Sequence, residues 1–155
     1  MPTILSNLAN RVEPILRLLP EWLIALLIRI AISSVFWRSA QTKISGWELF
    51  GQNWKFWNLS ESTFLLFAQE YRVPLLPSDL AAYLATFGEF FLSLAIVLGL
   101  ATRLSALGLL AMTTVIQLFV YPEAWNVHIL WVALLAYLLR YGAGSVSVDR
   151  LIGLK

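Results

Sequence analysis

Residues 80–101, LAAYLATFGEFFLSLAIVLGLA, run for twenty-two positions with one charged residue, Glu89. At about 1.5 Å rise per residue, roughly 20 apolar residues cross the ~30 Å hydrocarbon core of a bilayer. Immediately after it comes a second run, residues 104–121 (LSALGLLAMTTVIQLFVY), with no charge at all. Two shorter runs flank these: residues 21–37 (EWLIALLIRIAISSVFW) and 127–141 (VHILWVALLAYLLRY), both with aromatic ends. The apolar residues are continuous, without the strict alternation of a membrane strand, so a β-barrel is disfavoured. Four spans are predicted, making an all-α, polytopic membrane four-helix bundle in one domain over residues 1–155.

The composition agrees. Hydrophobic residues make up 59% of the 155 positions and charged residues 13%, against roughly 45–50% and about 25% in soluble domains. Mean hydropathy is +0.75. A water-soluble fold of this size has too little interior to hide so much apolar surface, and disorder is excluded on the same grounds. Cysteine is absent, which removes disulfides, thiol redox chemistry, iron–sulfur ligation and cysteine zinc sites. One histidine and two methionines argue against haem, copper or other metal sites inside the chain. The net charge of +2 is spread over single Lys and Arg residues, so no nucleic-acid partner is expected; the lipid bilayer is.

The linkers differ in kind. Thr102-Arg103 and residues 122–126 (PEAWN) are short enough for tight antiparallel turns. Residues 38–79, rich in Trp and Phe, read as an aromatic interfacial cap between helices 1 and 2. Within the cap, residues 60–71 (SESTFLLFAQEY) predict a short amphipathic helix, with Ser60 or Ser62 as N-cap and Pro74 and Pro77 as stops. Residues 4–19 predict a second interfacial helix interrupted near Pro14. The start lacks the pattern of a cleavable signal peptide. Placing the N-terminus inside puts Arg11, Arg17, Arg103, Arg140, Arg150 and Lys155 in the cytoplasm and Arg38, Lys43, Lys55 and Arg72 outside, which predicts an N-in, C-in topology.

Charges at membrane depth are costly and so carry the most information, about 2.5–3.5 kcal/mol each on insertion scales. Counted from Trp37 and Leu80, Arg29 and Glu89 both lie about 12–13 Å deep. They are expected to face each other as an ion pair. Ala25, Arg29, Ser33 and Ala40 share one stripe, continuing toward Lys43. Ala82, Ala85, Thr86, Glu89 and Ser93 share another, and Thr113, Gln117 and Tyr121 a third. With His128 at the outer boundary, the candidate pocket residues are Arg29, Lys43, Thr86, Glu89, Gln117, Tyr121 and His128. Each also has a purely structural reading: the ion pair as a helix tie, Gln117 as a helix–helix bond, His128 as an interfacial hydrogen-bonder, Lys43 as a snorkelling side chain.

No phosphate loop, dinucleotide fingerprint, HExxH or GxSxG motif is present, and no catalytic residue can be named. The segment GEFFLSLAIVLGLATRLSALGLLAM (residues 88–112) resembles the second and third helices of the DoxX family. FWRSAQTKISGW (36–47) is similar to that family's first-helix exit, PEAWNVHILW (122–131) to a turn of a proteobacterial subgroup, and YGAGSVSVDRLIG (141–153) to its Gly-rich exit, with Ala143 where proline is common. The resemblance implies a bacterial inner-membrane four-helix protein, described in the family as an oxidoreductase component, and singles out Lys43, Glu89, Arg103 and Asp149. Three functional readings follow. The first is a non-catalytic subunit or accessory of a redox or copper-handling partner, with no intrinsic cofactor and a quinone or lipid as pocket ligand. The second is a quinone-reactive subunit of the thiosulfate:quinone type. The third is a small-solute transporter. Assembly into an oligomer is compatible with all three.

Overall fold

The computed structural model describes residues 13, 18–71 and 73–154. The helix expected over 4–19 lies almost wholly outside these residues, as do Arg11, Arg17, Arg72 and Lys155.

Four long helices form the body. Helix α1 is Glu21–Lys43. After a short β-hairpin, β1 (Glu48–Leu49) and β2 (Gln52–Asn53), comes α2 (Glu61–Leu66), whose last turn widens into a π-helical segment, Phe67–Tyr71. Helix α3 is Ser78–Leu98. Helix α4, Thr102–Val115, also ends in a π-helical segment, Ile116–Val120. A 3-10 turn, Pro122–Ala124, leads into α5, Trp125–Tyr141, and a last turn, α6, spans Val148–Leu151. Neighbouring helices α1–α3, α3–α4, α4–α5 and α5–α1 pack in a closed ring.

All four long helices have the length and apolarity to cross a bilayer, and their spanning windows are only 17–39% buried within the protein. Leu27, Leu84, Leu104, Leu107, Leu118 and Leu130 are each more than half exposed on their outer faces. In water such a surface would drive aggregation; in lipid it is solvated.

Two expected boundaries move. The first span does not stop at Trp37 but continues through Arg38 and Gln41 to Lys43; that polar end is covered by the cap, where the Gln41 amide pairs with the Asn53 backbone in both directions. The turn between α3 and α4 is residues 99–101, with Thr102 and Arg103 already helical. Leu100 N–H donates to Ala95 O and Gly99 N–H to Ile96 O, the pairing of a Schellman C-cap. Gly99 sits at φ +69°, and a Cβ there would stand 2.6 Å from Ser147 Cβ and 2.9 Å from Arg29 Cζ. The helix closes tightly because it has no side chain at that point.

The predicted cap helix forms, preceded by Ser60, whose hydroxyl meets Ser62 and Thr63 hydroxyls instead of a backbone N–H. Trp37, Trp54, Phe56 and Phe90 interlock beneath the hairpin, which pins the cap to α1 and α3. The hairpin was not legible in the sequence: it comprises only two residues on each strand.

Candidate functional site

The expected Arg29–Glu89 pair does not form. Arg29 lies near the start of α1, level with the end of its antiparallel neighbour α3. Its guanidinium donates to Ile96 O (2.9 Å), Val97 O, Ala143 O (3.1 Å) and Val146 O (2.6 Å). It thus satisfies the Val97, Ala143 and Val146 carbonyls and shares Ile96 O with the Gly99 N–H that closes α3. Trp37 is not the end of α1, and Glu89 lies level with Ser39 and Lys43, ten to fourteen residues beyond Arg29 on that helix.

There the ionic group of the bundle is found. Lys43 Nζ stands 2.7 Å from Glu89 Oε2 and 3.0 Å from Oε1, and also donates to Ser39 Oγ at 2.7 Å and Ser39 O at 3.2 Å. The Ser39 hydroxyl donates to Glu89 Oε1 at 3.0 Å. Both charged side chains are about 95% buried. A pair so deep survives only because its members neutralise and hydrogen-bond each other.

Lys43 and Glu89 form one end of an apolar chamber of about 350 Å³, at the small end of the range of ligand sites. His128 and Trp131 of α5 contribute to the wall, as do Ala85 and Leu84 of α3 and Ala111, Met112 and Val115 of α4. Both π-helical segments border it too, through Phe67, Tyr71, Ile116 and Val120. Among its lining residues Leu84, Ala111 and Val115 of α3 and α4 are exposed, as are Leu76 and Tyr121 at the rim, so the chamber is open along the α3–α4 side and the rim above it.

At the rim the two π-helical segments are clasped. Tyr121 Oη donates to Glu70 Oε1 at 2.7 Å and lies 3.5 Å from Tyr71 Oη, with the two tyrosine rings edge to face. Contact with Tyr71 and the bond to Glu70 push the Tyr121 phenol above its ordinary range, so it stays protonated and a donor at neutral pH. Deeper in, His128 Nδ1 meets Gln117 Oε1 at 2.7 Å, and Gln117 Nε2 donates to Pro122 O at 2.6 Å. The His128 ring lies on Trp131, centroids 4.8 Å apart.

Of the seven candidates, Lys43, Glu89, Tyr121 and His128 come together at this chamber. Arg29, Thr86 and Gln117 do not line it. Thr86 turns its hydroxyl back to Ala82 O, 2.8 Å away, the usual internal solution for a buried helical threonine. Gln117 stands behind His128 and orients it. Ser39 and Trp131 were missed; the signals were their spacing, four residues before Lys43 and three after His128 on the same helical faces.

The family model for DoxX matches residues 24–122, well over half of the chain. The chain belongs to the DoxX family. No curated protein and no solved structure matches it. As a DoxX protein with four apolar helices it is a multi-pass membrane protein. The matched region holds Lys43, Glu89 and Tyr121, whereas His128 follows it. Asp149, also beyond the match, caps α4: its carboxylate accepts from Ala101 N at 2.6 Å and Thr102 N at 2.9 Å. Arg103, at the same end, is adjacent to Gly142. Both lie away from the chamber, and Asp149 closes the start of α4. Replacing Asp149 by Ala should cost about 1–2 kcal/mol, the loss of a helix N-cap, read as a lower unfolding midpoint in detergent with chamber binding unchanged. An unaltered midpoint would show that the cap is dispensable.

Proposed function

We propose that the chamber binds a small, lipid-soluble ring compound of the quinone class, entering from the bilayer between α3 and α4. On this reading the DoxX protein is a non-catalytic membrane subunit that presents this ligand to a redox or copper-handling partner. The carrying observation is the combination of an apolar chamber, a lateral mouth and one ionic end at Lys43–Glu89. Apolar walls suit a ring and tail, and the few polar groups, the Lys43–Glu89 pair and His128, suit polar substituents on the ring. The inner membrane of a bacterium, with both termini in the cytoplasm, accords with this. Arg103, Arg140 and Arg150 then face the cytoplasm with the Arg29 end of the bundle, and the acidic residues Glu48, Glu61, Glu70 and Glu123 face outward with the aromatic cap.

A quinone near an indole quenches its fluorescence, and Trp131 borders the chamber. Decyl-ubiquinone added to the protein in lipid nanodiscs should quench in a saturable way, and the saturable component should vanish in Trp131→Phe. Ala85→Phe, which fills the chamber, should abolish it while leaving the unfolding midpoint in place. Equal quenching in the Ala85→Phe protein would discard the chamber as the binding site. The accessory role predicts a redox or copper-handling protein bound after gentle purification; turnover of a quinone by the isolated chain would replace that role with the quinone-reactive one.

A further inference from the structure

The hydrogen-bond inventory of the chamber says more about what it holds, and this step rests on the binding reading above. Lys43 has three N–H hydrogens and already faces four acceptors on Ser39 and Glu89. It has none to offer a ligand. The Ser39 hydroxyl hydrogen is committed to Glu89. Glu89 Oε2 accepts from Lys43 alone among the described residues and keeps a lone pair. The ionic end of the chamber therefore accepts hydrogen bonds and does not give them.

His128 extends the same pattern. The Gln117 amide is held one way round, because Pro122 O, 2.6 Å from it, must face the NH2 group and would repel the amide oxygen. Gln117 Oε1 is thereby left for His128 Nδ1, 2.7 Å away. An oxygen without hydrogen needs a donor, so Nδ1 carries the imidazole proton and the neutral ring leaves Nε2 as a bare acceptor. Nε2 has no protein partner among the described residues. The buried, unpartnered side-chain atoms among them are Ser33 Oγ and Thr102 Oγ1. His128 Nε2 is not one of these sealed atoms, and His128 lines the chamber.

We propose that the chamber selects a ligand head that donates a hydroxyl hydrogen, seated on His128 Nε2, and so takes the hydroquinone form of a ring compound in preference to the quinone. Two acceptors, the imidazole nitrogen and the Glu89 carboxylate, await a donor; a ring carbonyl would confront them lone pair to lone pair. The donors that remain are the Tyr71 hydroxyl and the indole N–H of Trp131, whose ring lies against His128; a carbonyl that took either would still leave the imidazole nitrogen and the carboxylate without a donor. Gln117 is a positioning residue: it acts on the ligand only by fixing the tautomer of His128.

The chain has a single histidine, so nitrogen-15 NMR of histidine-labelled protein in nanodiscs reads this imidazole without ambiguity. The free protein should show Nδ1 protonated and Nε2 bare. Decyl-hydroquinone should shift Nε2 toward the hydrogen-bonded range. It should also bind about tenfold more tightly than decyl-benzoquinone or the dimethyl ether of the hydroquinone, the worth of one such bond. Gln117→Leu should let the proton redistribute to Nε2 and cost the same factor in hydroquinone affinity without changing that of the ether. A proton on Nε2 in the wild type, or equal affinity for all three ring probes, overturns the proposal while leaving the chamber as a ring site. Failure of every ring probe to bind overturns both readings together. Decanol binding as tightly as the hydroquinone, with the same Nε2 shift, keeps the donor requirement and replaces the ring by a lipid alcohol.

Discussion

Arg29→Leu should leave the protein barely able to hold its fold in mild detergent. Four carbonyls from two separate segments, Ile96 and Val97 of α3 and Ala143 and Val146 beyond α5, converge on this one guanidinium. Removing it leaves Ile96 O with the Gly99 N–H alone and strands the Val97, Ala143 and Val146 carbonyls. A buried carbonyl left unsatisfied costs about 1–3 kcal/mol, so three of them take a large share of the stability of a domain this size. Arg29→Lys should recover less than half of that, because an ammonium is a point donor and cannot span carbonyls that a planar fork reaches in several directions. Unfolding midpoints in detergent measure the series, with exposed Arg140 as the reference site. A loss at position 29 no greater than that of Arg140→Leu would remove the guanidinium from its place as the tie of the bundle.

Lys43→Leu and Glu89→Leu should each be severe for a different reason. Either one leaves its former partner as a lone buried charge, again at a cost of about 3–5 kcal/mol. The double variant Lys43→Leu, Glu89→Leu removes both charges and should return near to wild-type stability, because a buried ion pair often contributes little more than apolar residues of similar volume. A double-mutant cycle in the same unfolding assay gives the coupling. The stable double variant should nonetheless bind no ring compound with wild-type affinity, which separates the pair's place in the chamber from its place in the fold. Additive losses would mean that Lys43 and Glu89 do not neutralise each other.

Both expectations concern charges visible in the sequence, yet the sequence shows that Arg29 and Glu89 are buried and not which charges meet. That Arg29 and Glu89 must turn inward follows from the cost of charge in lipid; Lys43, which reads as lying outside the spans, is buried with them. Which of them meet depends on where α1 ends. Arg38, Gln41 and Lys43 read as a polar exit, and local pattern cannot show that a cap will shelter them and let the helix run on. The stripe of Ala25, Arg29, Ser33 and Ala40 is a buried face, as its spacing implied, but a face has no register. A shift of about three to four turns along α1, from Arg29 to Ser39 and Lys43, exchanged the partner of Glu89.

The chamber shows the same division. Tyr121 and His128 stood out as polar groups near one boundary. The π-helical segments that bring Tyr71 and Tyr121 together, the Pro122 carbonyl that orients Gln117, and the resulting bare nitrogen on His128 all depend on contacts between residues from different elements. Asp149 illustrates the point again. It lies 47 positions from the helix start that it caps, beyond any local rule for capping.

Composition and the continuous apolar runs determined the solvent of this protein and its four spans, because lipid imposes a length and an apolarity that can be counted along a chain. Family membership could likewise be read from the order of short segments. Tertiary structure alone decided which charges neutralise which, where the chamber opens and which of its atoms can still accept a bond. Those depend on helix register and on the direction of individual hydrogens, and a linear pattern with a period of 3.6 residues determines neither.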